Sequence, residues 1–288
     1  MQSALLAVPL AIYAFLLPLH APVFTANNGG REQLRTDTPA VHATPPLPAP
    51  RHTFTVIAHR GYHERVPENT LAACREAIEH GLDYVEVDLR TSKDGRLVIM
   101  HDQTVNRTTN GTGLVKELTL RDIRQLDIGG EHRVPVFREV LELCRDRIYI
   151  YLDFKDAGVQ QTIDEIRAAG MEKQVLVYVN SEAQYSAWRT LAPHIPLMAS
   201  MPDSVKDVRG LQAFLDQHPV SALDGYFRQY TCSMLEAAAE RGVTVWPDIQ
   251  GPEEGPAHWM EAVTLGLRGL QSDKPATLAE FLKNNGQR

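Results

Sequence analysis

From Thr53 to its C-terminus the chain alternates short β-rich runs with amphipathic helical stretches, and this alternation narrows the fold more than any other feature. The pattern predicts strands over 54–58, 83–89, 148–153, 174–179, 196–199, 222–226, 243–246 and 267–271. Between them it predicts helices over 70–80, 135–145, 159–169, 181–191, 205–217, 231–241 and 257–265, with a last one over 276–284. Eight strand–helix units in about 235 residues suit an α/β fold, the (β/α)8 TIM barrel. The runs Val56-Ile57-Ala58 and Val175-Leu176-Val177-Tyr178-Val179 are apolar throughout, as strands covered on both faces should be. An open doubly wound sheet is the other architecture that such alternation allows.

One stretch breaks the repeat. After the second strand, Thr91-Ser92-Lys93-Asp94-Gly95-Arg96 leads into Leu97-Val98-Ile99-Met100-His101. Asp-Gly between β-rich runs signals a hairpin, so 97–100 reads as a return strand that brings His101 back beside Asp88. The segment 102–134 is then a loop excursion, turning at Asn110-Gly111-Thr112-Gly113 and at Gly129-Gly130. Asn69 or Thr70 can cap the first helix, and Gly81 can end it in a left-handed conformation.

The N-terminus has a different character. Ala4 to Leu19 is apolar and uncharged, broken by Pro9 and Pro18, which suits a secretory segment or a short anchor better than a full membrane span. Residues 1–26 therefore read as a signal peptide or N-terminal anchor. The protein would then be exported (periplasmic or extracellular) or held near a membrane. Residues 27–52, ending Pro45-Pro46-Leu47-Pro48-Ala49-Pro50, read as an extended linker that builds no core, followed by the barrel over 53–288. Cys74, Cys144 and Cys232 show no pairing pattern, and buried free thiols are the expectation. With 43% hydrophobic residues the chain can fill a large core. Its formal net charge of -7 and scattered basic residues exclude a nucleic-acid scaffold.

The chemistry-bearing residues sit at strand ends, which in a barrel line the active site. Glu86 and Asp88 are two apart on one strand and so point to the same face. Two inward carboxylates in an apolar barrel repel each other and call for a cation. Asp153, ending the next long strand, is the natural third ligand, and an all-oxygen set suits Ca2+ or Mg2+. A carboxylate pair held by Arg or Lys would be the structural alternative. His59 and His101 each end a strand and can take and give protons near neutral pH. Arg60 and Lys155 flank the same place and can hold a phosphate, although Lys155 could equally be paired with Asp153. Trp246, at the end of its strand, can shape a substrate wall or fill the barrel core.

In order along the chain, Ala58-His59-Arg60-Gly61, Pro67-Glu68-Asn69-Thr70, Glu86-Val87-Asp88-Leu89, Thr91-Ser92-Lys93-Asp94-Gly95, His101-Asp102, Arg107-Thr108-Thr109-Asn110-Gly111, Leu152-Asp153-Phe154-Lys155 and Gly269-Leu270-Gln271-Ser272-Asp273-Lys274-Pro275 resemble the glycerophosphodiester phosphodiesterase family. The resemblance spans about 54–283 and rests on the ordered set. It implies a TIM barrel that hydrolyses small-molecule glycerophosphodiesters, such as glycerophosphocholine or glycerophosphoethanolamine, to an alcohol and sn-glycerol 3-phosphate. By it, His59 and His101 are the acid–base pair, Glu86, Asp88 and Asp153 hold a divalent cation, and Arg60 and Lys155 bind phosphate. Family members are thought to use the neighbouring glycerol hydroxyl as an internal nucleophile, through a cyclic phosphate that water opens. Two departures stand out: Asp153 replaces the usual Glu, and Trp246-Pro247-Asp248-Ile249 replaces Trp-Thr followed by a polar residue. The following loop, Gly251 to Pro256, reads as a rim that touches the alcohol moiety. A lysophospholipase D or sphingomyelinase D-type activity and a non-catalytic phosphate-ligand-binding barrel are the alternatives.

Overall fold

A computed structural model describes residues 44–49 and 51–288. Nine strands form one sheet: β1 (Thr55–Ala58), β2 (Tyr84–Thr91), β3 (Leu97–Ile99), β4 (Tyr149–Asp156), β5 (Val175–Val179), β6 (Leu197–Ser200), β7 (Ala222–Asp224), β8 (Thr244–Val245) and β9 (Gly269–Ser272). Eight of them run parallel in the order β8-β7-β6-β5-β4-β2-β1-β9, and β3 hangs antiparallel on β2. The ring closes just past β8, where Gln271 N–H donates to the Pro247 carbonyl (3.1 Å) and Ile249 N–H to the Gln271 carbonyl (3.1 Å). This is the (β/α)8 barrel, with the hairpin excursion after the second strand. Each predicted strand and helix is present within a few residues of its expected ends.

Local chemistry accounts for the boundaries. Thr70, not Asn69, caps the helix Leu71–Glu79, its hydroxyl accepting from Ala73 N–H at 3.1 Å, and Gly81 follows at φ 63. The hairpin pairs Leu89 with Ile99 and Thr91 with Leu97 around Asp94-Gly95, as the sequence predicts. The excursion is more ordered than a loop. It carries a short helix, Leu120–Arg124, closed by a Thr119–Asp122 capping box. Val98, Met100, Val105, Val115, Ile123 and Val134 form a small core beneath it.

Inward and outward residues alternate along each barrel strand. Outward side chains such as Val56, Val85, Val87, Leu152, Val177 and Leu223 meet the helices in one large core. Inward, Ile57, Tyr84, Tyr151, Leu176, Met198, Ala222 and Trp246 fill the lower barrel. Leu47 packs against that inner cluster, and the Pro45 carbonyl accepts from the Ser221 hydroxyl at 2.7 Å. Residues 44–49 of the expected linker thus lie against the barrel floor, which offers Leu47 an apolar opening that its own sequence neighbourhood does not. Cys74 and Cys144 are buried free thiols as expected; Cys232 is free but exposed at the start of the helix Cys232–Glu240. No helix of the described residues is long and apolar enough to cross a membrane, and the apolar segment 4–19 lies outside those residues.

Candidate active site

The two-residue period of β2 carries Tyr84 into the lower barrel and sets Glu86 and Asp88 above it on the same inward side. Asp153 on β4 is the register partner of Asp88, so the third carboxylate lies beside the pair. Ligand oxygens of Glu86, Asp88 and Asp153 all fall within 4.8 Å of one another, and these residues could hold a metal ion. Burial and then the charges of Asp88 and Asp153 push the Glu86 carboxyl well above its ordinary range. Burial and Asp88 raise Asp153 likewise. A buried, all-oxygen set whose members repel each other fits a hard divalent cation.

Each carboxylate is also held by a neighbour. Arg60 N–H donates to Glu86 Oε2 at 2.6 Å, Asn69 Nδ2 to Asp88 Oδ2 at 2.7 Å, and Asn180 Nδ2 to Asp153 Oδ1 at 2.8 Å. The first two need unusual backbone. Arg60 (φ 54) and Asn69 (φ 56) both sit in the left-handed region, and a side chain at Gly61 would collide with Ala73. Lys155 Nζ lies 2.5 Å from Asp153 Oδ2 and 3.3 Å from Asp88 Oδ1. Burial opposes its charge, but Asp153, Asp88 and Glu86 outweigh that and raise its pKa. The Asp153–Lys155 pair therefore exists, inside the carboxylate cluster rather than apart from it. The Arg60 guanidinium reaches Glu68 Oε1 at 3.0 Å, and its buried Nε, 3.8 Å from Asp88 Oδ2, makes no hydrogen bond.

Both histidines stand just past their strands, each with Nδ1 on a carboxylate. His59 Nδ1 is 2.7 Å from Asp273 Oδ1. Burial alone would raise the Asp273 pKa, but the bond and charge of His59, with His63 and Arg60, bring it below the ordinary value. His101 Nδ1 is 2.7 Å from Asp102 Oδ1, and the Arg107 guanidinium, then His101, hold Asp102 far below the ordinary range. An ionised carboxylate only accepts, so each Nδ1 carries the proton and each Nε2 is left to exchange one. Arg107 spans Asp102 (2.8 Å) and Glu68 (2.8 Å), and Glu68 meets Arg60, so a chain of charges joins the two sides of the site. Buried Arg90 fixes the His101 backbone, donating from Nε to its carbonyl at 2.9 Å and from Nη1 to Asp156 at 2.8 Å.

The structure thus gathers Glu86, Asp88, Asp153, Arg60 and Lys155 by direct contact, and sets His59 and His101 at the same end of the barrel. Trp246, expected either at a substrate wall or in the barrel core, lies in the core. It is buried in the inner core, 5.1 Å from the Tyr84 ring, and occupies the space that a side chain at position 269 would need. It packs with the inner cluster of the barrel, the second of the two places expected for it. The Gly251–Pro256 loop departs from expectation: buried Glu254 turns inward, accepting from the Ser272 hydroxyl and from Asp273 N–H at 3.0 Å. It supports Asp273, and through it His59, rather than serving only as a rim.

Glu68, Asn69, Asp102, Arg107, Asn180 and Asp273 are supporting residues to which sequence reasoning gave no role in the site, Asn69 having been read only as a candidate helix cap. Five lie in or beside the quoted motifs, and Asn180 stands directly after β5, where the strand-end rule would have found it.

The model of the glycerophosphoryl diester phosphodiesterase family matches residues 59–219. The glycerophosphodiester phosphodiesterase of Caldanaerobacter subterraneus subsp. tengcongensis is 30% identical over 245 residues, which cover 80% of this chain and 98% of the relative. Among solved structures, glycerophosphodiester phosphodiesterase from Agrobacterium tumefaciens superposes with a TM-score of 0.71 at 29% identity, over 79% of this chain and 99% of its own. An Oleispira antarctica phosphodiesterase, solved in complex with the product sn-glycerol-3-phosphate, shares the fold at a TM-score of 0.71 and 22% identity, over 80% of this chain and 96% of its own.

Proposed function

Since the chain belongs to the glycerophosphoryl diester phosphodiesterase family and is a glycerophosphodiester phosphodiesterase, we propose that it cleaves substrates such as glycerophosphocholine and glycerophosphoethanolamine to an alcohol and sn-glycerol 3-phosphate by metal-assisted acid–base catalysis between His59 and His101. The observation that carries this reading is the buried carboxylate triad flanked by two imidazoles whose Nδ1 atoms are both tied to carboxylates. A divalent cation, Ca2+ or Mg2+, held by Glu86, Asp88 and Asp153 would supply Lewis acidity toward the phosphate and the attacking hydroxyl. Nε2 of one histidine takes the proton of the glycerol hydroxyl next to the phosphate. Nε2 of the other gives a proton to the leaving alcohol oxygen. Arg60 and Lys155 hold the phosphate oxygens as charge builds on them, and the Nε of Arg60, which makes no hydrogen bond, has a donor to spare for this. Water then opens the cyclic phosphate with the two roles exchanged.

The test is release of glycerol 3-phosphate from glycerophosphocholine by the full chain, with EDTA and with added Ca2+ or Mg2+. Chelator-sensitive release that falls by at least about 100-fold in His59→Ala and in His101→Ala is the expected result. Wild-type turnover in either variant, or in EDTA, would sink the mechanism. Cleavage of lysophosphatidylcholine alone would favour a lysophospholipase D. We further propose that residues 1–26 direct export or anchor the protein, with the barrel proper over 53–288. This rests on the uncharged apolar run 4–19, and cell fractionation tests it.

A further inference from the structure

The half of the barrel mouth opposite the metal-ligand carboxylates carries a second polar corner that the hydrolysis does not use. By strand parity Ser200, Asp224 and Gln271 point inward above Met198, Ala222 and Gly269, and Asp248 follows Trp246 with the same parity. The register sets Ser200 beside Asp224, and parallel bridges link Asp248 to both Tyr226 and Gln271. The Tyr151 hydroxyl donates to Asp224 Oδ2 at 3.2 Å, while the Tyr178 hydroxyl is bonded to Ser200 at 2.7 Å. The Gln271 amide donates to Asp248 Oδ1, which also accepts from Gln250 Nε2 at 3.0 Å.

What this leaves over is acceptors. Asp224 and Gln271 are each 5% exposed. Their atoms Asp224 Oδ1 and Gln271 Oε1 are buried without a partner. The Nε2 end of the Gln271 amide is engaged with Asp248, so Oε1 is the end that still lacks a donor. Among the described residues, no Lys or Arg nitrogen lies within 4.0 Å of Asp224 or Asp248. The cations of the site are engaged on the other side, with Glu68, Asp88 and Asp153. Burial and then Asp248 raise the Asp224 pKa, so the pair is relieved either by a proton or by a cation, and a cation that brings hydrogen-bond donors also answers the carbonyl oxygen. A primary ammonium has three N–H donors, a hydroxyl has one and no charge, and a quaternary ammonium has none. The corner also adjoins the reacting centre: burial raises the Asp248 pKa, and the bond from Gln271 and the charge of His59 ease it.

We propose that Asp224, Asp248 and Gln271 form the subsite for a protonated primary amine on the leaving alcohol, making an ethanolamine-type headgroup the preferred one. This rests on the phosphodiester reading above and sharpens it.

The test compares kcat/KM of the full chain on glycerophosphoethanolamine, glycerophosphocholine and glycerophosphoglycerol, in wild type and in Asp248→Asn and Asp224→Asn. We expect glycerophosphoethanolamine to lead both other substrates by at least about tenfold, and its ratio to glycerophosphoglycerol to fall to about one in Asp248→Asn. Thermal unfolding of each variant checks the fold. If Asp224→Asn does not fold, Asp248→Asn, at a half-buried position, still decides the matter. A lead for the choline or glycerol headgroup, or an unchanged ratio in Asp248→Asn, overturns the subsite while leaving the enzyme a phosphodiesterase. Cleavage of none of the three overturns the phosphodiester reading itself.

Discussion

Replacing Glu86 by Gln should stabilise the metal-free protein and weaken the metal-bound one, two opposite effects from one atom change. Two unit charges 4.8 Å apart repel by roughly 3.5 kcal/mol at an effective dielectric of about 20. The Lys155 ammonium, 2.5 Å from Asp153 and 3.3 Å from Asp88, cancels part of this, and proton uptake by Glu86 relieves more. What remains is about 2 kcal/mol, or about 4–8 °C in Tm for a domain of this size. The pH dependence has a definite sign. The Glu86 pKa is raised in the fold, so the folded state binds the proton more tightly than the unfolded chain does. Stability is therefore full below the ordinary value of 4.5 and is lost as pH rises from there through the raised folded value. Gln removes that loss. Its side-chain oxygen can still accept from Arg60 N–H, and its NH2 can donate to a neighbouring carboxylate. Differential scanning calorimetry at neutral pH in EDTA should show Glu86→Gln melting above wild type. Saturating Ca2+ at about 100 times Kd should raise the wild type by about 2.7 kcal/mol and the variant by much less, reversing the order. A lower Tm for the variant in EDTA, or equal Ca2+ gains in both proteins, would refute the claim that repulsion among buried carboxylates defines this site.

Asp102→Asn and Asp273→Asn each remove the ionised acceptor that fixes a histidine tautomer, and each should lower kcat by about 10–100-fold with little change in KM or Tm. Steady-state kinetics on glycerophosphocholine reads this out, and an unaltered kcat would mean the imidazoles are held by other groups. Gly269→Ala places a Cβ against the Trp246 indole and should cost about 1–3 kcal/mol in urea unfolding. Leu47→Ala should cost about 1–2 kcal/mol, less than a full core deletion because Leu47 is only partly buried, with kcat unchanged. A null effect would mean that residues 44–49 do not seal the barrel floor.

The sequence by itself determined the barrel and the family to which it belongs. Strand and helix periods are local properties, so eight units, the Asp94-Gly95 hairpin and the paired inward carboxylates Glu86 and Asp88 could all be read from residues a few positions apart. The strand-end rule then placed His59, His101 and Asp153 at one end of the fold. Tertiary structure decided what depends on contacts across long sequence separations. His59 finds its carboxylate at Asp273, Arg107 reaches back to Glu68, and Asn180 supports Asp153, each through a neighbour distant in sequence that only the packed fold supplies. It also decided between readings that local pattern leaves equal. Thr70 rather than Asn69 caps the helix, which frees Asn69 for Asp88. Trp246 goes to the core because Gly269, on the strand across the closing seam, leaves it room. Leu47, read as part of a coreless linker, is half-buried because the open lower end of a barrel exposes apolar side chains that no stretch of sequence displays by itself.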